Sequence, residues 1–272
     1  MLLGVFHVGV QWVEPRSWES PVGWRKPILF GISTGLTLVS LAWVVSVVGQ
    51  KRAQFAAWVI SVSACAEVLI ITVQTWRGVP AHFNDGARLD QVLTNSVDAM
   101  LVGITLAISY LTAKSFWHTA DRADSDYLLS IRLGMVYLCL ACLLGFAAAI
   151  YGNYAISVGG DPGTVAPNGV PKFVHGTPLH ALQILPIWIF AARFVNSNVN
   201  RRKTSVWFVS HAIGLTTVYA LWQTLNGSGR FEANTIGLSL LSVAGFCGII
   251  AVYYAAFGAA IPTGWRRQLK YR

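Results

Sequence analysis

Runs of about 20 apolar residues recur along this chain, and as helices at 1.5 Å per residue each matches the roughly 30 Å hydrocarbon core of a bilayer. Seven such stretches fall at about 28–48, 54–75, 92–113, 129–152, 179–196, 205–225 and 235–259. An eighth, residues 1–13, is shorter; it lacks the basic leading region of a cleaved signal and reads as a short first helix or the visible part of one. The runs are continuous instead of alternating, which favours helices over a barrel. Only 11% of residues are charged, against roughly 25% in ordinary soluble domains. The expectation is an all-α polytopic membrane protein, with seven or eight transmembrane helices bundled in a single domain over 1–272.

A net charge of +9 would point a soluble protein toward nucleic acid. Here the basic residues sit mainly between apolar segments, so topology accounts for them and no nucleic-acid partner is expected. If the spans alternate, one side carries Lys51, Arg52, Lys114, Arg122, Arg132, the 193–203 cluster and the tail from Arg266 to Arg272. The other side carries Arg16, Arg25, Lys26, Arg77, Arg88, Lys172 and Arg230. The richer side stays cytoplasmic by the positive-inside rule. Both termini are therefore expected in the cytoplasm of a cell bounded by a plasma or bacterial inner membrane.

That topology predicts that three polar stretches share the outer face: Trp18-Glu19 with Trp24-Arg25-Lys26-Pro27, Gln74 to Asp85, and His175 to Gln183. Ionisable groups in hydrocarbon are costly and usually serve a purpose. Glu67 and Asp98 lie about two turns inside the third and fourth spans, and Gln74 follows Glu67 on nearly the same helical face. They should face the bundle interior, paired with each other, with Arg77, or with a ligand, and are the catalytic candidates. Asp121, Asp124 and Asp126 read as a solvated cytoplasmic loop, and His118 as a solvated loop residue.

His82 and His175 read as loop residues and His180 as the opening of the sixth span, one turn from Gln183. Neutral imidazole is a common metal ligand, so His82, His175 and His180 are the candidate metal ligands. Arg25, Lys26, Gln74, Trp76, Arg77 and Gln183 are candidates for holding a cofactor, because Arg forks suit carboxylates and rings pack a macrocycle. Cys139 and Cys142 form a C-x-x-C pair inside an apolar run and read as small packing residues.

The first functional expectation is a redox-type membrane protein or subunit holding a haem or a transition metal, with or without a quinone. A zinc-dependent membrane hydrolase using the same histidines and carboxylates is the alternative. A third is a non-catalytic lipid-binding or accessory subunit, whose partners are membrane lipid and other membrane subunits. Proton transport through Glu67 and Asp98 is a further possibility, though few polar residues continue toward the inner face.

Overall fold

The computed structural model describes residues 1–18, 20–84, 86–117 and 124–257. Glu19, Asp85, His118, Asp121, Arg122 and the basic tail lie outside the described residues. Among the described residues the regular elements are all helices: α1 (Leu2–Val13), α2 (Arg25–Val48), α3 (Gln50–Trp76), α4 (Arg88–Trp117), α5 (Ser125–Ser157), α6 (Pro171–Leu179), α7 (Ala181–Val195), α8 (Val199–Leu225) and α9 (Thr235–Ala256). With α6 and α7 taken as one span, seven segments are long and apolar enough to cross a membrane. This is an all-α polytopic bundle.

The helices overrun the apolar runs at most of their ends. α4 and α5 begin four residues before the expected spans and continue four or five beyond them. Polar residues at a helix end still complete the i→i−4 ladder, so hydropathy marks the apolar core of a helix and not its ends. The sixth span differs more. It begins at Pro171, so His175 is helical and not in a loop, and His180 sits between α6 and α7 at φ −92°, ψ 6°. Pro178 brings no N–H to the Val174 carbonyl. That carbonyl instead accepts from the Thr177 hydroxyl at 3.0 Å.

The chain divides into two compact units. The first holds α1 to α4 and the second half of α5. α1 docks on α2 through glycines: a β-carbon on Gly31 would lie 2.7 Å from Cα and N of Gly4, and one on Gly35 would lie 2.8 Å from Cβ and N of Met1. Gly31-Ile32-Ser33-Thr34-Gly35 thus works as the small-residue seam that brings two backbones together where no hydrophobic gradient drives association. The second unit holds the start of α5 and α6 to α9. Its core is Ala181, Leu185, Ile189 and Val206, with Tyr127, Leu133, Tyr137 and Trp188 packed against it.

One expectation about this unit is corrected. Asp126 is not a solvated loop residue: it is the second residue of α5 and wholly buried. It accepts from Arg193 Nη2 and from Arg202 Nε, each at 2.6 Å. Asp124, two residues earlier, is exposed as expected and pairs with Arg193 Nη1 at 2.9 Å. A carboxylate taken from water persists when it is charge-paired and hydrogen-bonded, and here two guanidinium groups satisfy it.

Candidate functional site

In the first unit, the α1–α2 connection, the end of α3 and the α3–α4 loop meet at one end. Arg16 is the clasp. Its Nη1 donates to the Thr75 carbonyl at 2.9 Å and to the Val22 carbonyl at 3.2 Å, and its guanidinium lies 4.0 Å over the Trp24 ring. Trp24 is fully buried and donates from Nε1 to the Glu14 carbonyl at 2.9 Å. Two of the three polar stretches predicted to share a face are therefore neighbours. The third, 175–183, belongs to the second unit.

Two residues outside the expected site set, His7 and Asp90, complete this end. His7 of α1 is fully buried, with Nδ1 2.7 Å from the Leu3 carbonyl and Nε2 3.0 Å from Trp76 Nε1. Indole N–H only donates, so Nε2 accepts and Nδ1 carries the proton. Asp90, in the first turn of α4, is buried; its Oδ1 accepts from Gln74 Nε2 at 3.0 Å and from Arg77 Nη1 at 2.6 Å. Arg77 also donates to Gln74 Oε1. Gln74, Arg77 and Trp76, expected to meet a cofactor, are thus engaged with the chain's own residues, while Arg77 and Trp76 keep partial exposure. Asp90→Ala and Arg77→Ala are each expected to lower the unfolding temperature in detergent: the first leaves the buried Gln74 amide without its acceptor, and the second leaves the buried Asp90 carboxylate without its cation.

Deeper in the same unit lie the intramembrane acids. Glu67 of α3 has one carboxylate oxygen 3.9 Å from His82 Nε2, and both side chains are mostly buried. Asp98 of α4 is within electrostatic reach of His82, as is Cys142 of α5 of Glu67. Phe30 of α2 covers the imidazole, with ring centroids 5.9 Å apart. Among the described residues no Lys or Arg forms an ion pair with Glu67 or Asp98. At 3.9 Å the pair is beyond a direct hydrogen bond but within reach of a bridging water or a small rotation. The arrangement can accept, hold and pass a proton.

His175 and His180 belong to the second unit, with Gln183 in the first turn of α7. Arg25 and Lys26 open α2. Among the described residues no group of three or more His, Cys, Asp or Glu is arranged to hold a metal ion; His82 lies in the first unit and His175 and His180 in the second. Cys139 lies with Sγ 3.3 Å from Ser109 Oγ, and Cys65, Cys139, Cys142 and Cys247 are free thiols. Comparison with family models, with curated proteins and with solved structures finds no match to this chain.

Proposed function

We propose that this chain is an integral-membrane redox protein, or the redox subunit of a complex, in which Glu67, His82 and Asp98 handle the proton that accompanies electron transfer to a haem or a quinone. The Glu67–His82 pair carries the reading: an acid inside a segment apolar enough to cross a membrane, 3.9 Å from an imidazole in the loop that follows that segment. Charge placed there is expensive and is retained where ions or protons move. Imidazole is the side chain whose proton exchanges near neutral pH, and the Glu67 carboxylate beside it offers an acceptor. The exposed half of Trp76 and the partly exposed Arg77, at the same end of the unit, suit the ring and the anionic groups of such a cofactor.

The test begins with protein purified from its native membrane lipids. A Soret band, or quinone in the solvent extract, is expected together with a midpoint potential that depends on pH. Glu67→Gln and His82→Ala should each flatten that dependence while leaving the protein folded. A preparation that holds no pigment, reduces no added quinone and shows no redox wave overturns the proposal.

A further inference from the structure

We infer that Phe83 and Gly152 together form a wedge that sets the His82 imidazole against Glu67 and Asp98, which makes Phe83 a positioning residue of the site. The inference rests on the proton-handling reading of His82 and adds to it the device that aims the ring.

Phe83 is, among the described residues, the non-glycine with a left-handed backbone, at φ 56°. A bulky residue there is strained and persists only where its surroundings over-determine it. Those surroundings are on view. The phenyl ring lies flush against the backbone of α5 at Gly152: a β-carbon there would sit 2.6 Å from Cε1 and closer still to Cζ. On the other flank, Asn84 Nδ2 donates to the Pro80 carbonyl at 3.0 Å, and Asn84 Oδ1 accepts from the Gly86 N–H at 3.2 Å. The Thr94 hydroxyl of α4 donates to the Asn84 carbonyl at 3.2 Å. The loop is thus pinned to α4 by Thr94 and to α5 by the ring of Phe83.

His82 is the adjoining residue, so pinning Phe83 also places the backbone from which the imidazole extends, and the two rings lie 6.4 Å apart between centroids. Around the imidazole, Glu67 of α3 has a carboxylate oxygen 3.9 Å from Nε2, Asp98 of α4 is within electrostatic reach, and Phe30 of α2 lies with its ring centroid 5.9 Å away. A phenyl that merely filled space would be well placed with ordinary backbone angles. The strained φ and the missing β-carbon opposite are two independent costs, and both serve the placement of the ring beside His82.

The experiment is nitrogen NMR of the full-length protein in detergent with ¹⁵N-labelled histidine, the His82 signals being assigned by their loss in His82→Ala. Gly152→Ala should shift the His82 ring signals, and adding Phe83→Leu, which removes the ring carbons that collide, should return them toward their original positions. Gly248→Ala, where a β-carbon meets nothing within 4 Å, should leave them alone. If Gly152→Ala fails to fold, Phe83→Leu alone should still displace the His82 signals. Unmoved signals in Gly152→Ala or in Phe83→Leu, whatever happens to the unfolding temperature, overturn the wedge. Shifted signals with an unaltered pH dependence of the redox midpoint leave the wedge standing and remove the functional reading beneath it.

Discussion

Asp126→Ala is expected to be among the most damaging single changes in the second unit, costing about 3–5 kcal/mol, the range for removing one partner of a buried ion pair. The carboxylate joins the start of α5 to the end of α7 through Arg193 and to the start of α8 through Arg202. Arg202 passes the connection on: its Nη1 donates to the Asn196 carbonyl at 2.7 Å, and Asn196 Nδ2 donates to the Tyr254 carbonyl of α9 at 2.9 Å. Alanine would leave the Arg202 charge buried with nothing to answer it, and that uncompensated charge is the larger part of the loss. Two companions separate this cause from simple packing. Asp126→Ala combined with Arg202→Met should recover part of the stability, because the stranded charge goes with the carboxylate. Asp124→Ala, at an exposed pair, should change stability by no more than about 1 kcal/mol. Thermal or denaturant unfolding of the detergent-solubilised protein measures all three. A double variant as damaged as Asp126→Ala alone would assign the loss to the shape of the helix junction instead.

What the sequence revealed and what it hid follow from the range of the forces involved. Span positions were legible because a bilayer imposes a length and a hydropathy that any one segment must satisfy alone. Glu67 and Asp98 stood out for the same reason, as acids inside apolar runs, and His82 as an imidazole in the loop that joins their helices. Asp126 was misread because its partners are 67 and 76 residues away in sequence and nothing local separates it from Asp124. The role of His7 has no local cue, because its acceptor nitrogen is set by Trp76, 69 positions on. Asp90 had a local cue, an acid in the first turn of a helix where the dipole favours it, but its contacts with Gln74 and Arg77 emerge only when α3 and α4 pack. Pro178 signals a break that would leave His175 in a loop, but a neighbouring hydroxyl compensates for that proline and the helix continues. The Gly31-x-x-x-Gly35 spacing was visible too, yet its meaning depends on Gly4 arriving opposite.

That crossing sets the second large effect. Gly31→Leu should detach α1 from α2, at a cost reaching or exceeding the upper end of the ~1–3 kcal/mol typical of overpacking. The side chain would meet backbone and not a flexible neighbour: Cα and N of Gly4 lie 2.7 Å from where its β-carbon must go. α1 has little else to hold it, since it is 12 residues long and exposes Leu2, Phe6, Trp12 and Val13. Its fully buried side chain is His7, and its closest backbone approach to α2 is the glycine seam. Once α1 leaves, Trp76 loses the Nε2 acceptor of His7 and Trp24 loses the imidazole packed 5.5 Å from its ring. The tryptophan emission should therefore shift to the red and become more open to quenching by iodide, alongside a lower unfolding temperature. Gly9→Ala on the same helix is the control. A β-carbon there meets nothing, and replacing a helical glycine by alanine gains roughly 0.5–1 kcal/mol, so that variant should be as stable as the parent or more so. Were Gly31→Leu to keep the parent's emission and unfolding temperature, α1 would not depend on the close approach of Gly4 and Gly31, and the clasp over the end of α3 would have to be held by Arg16 and its carbonyl acceptors alone.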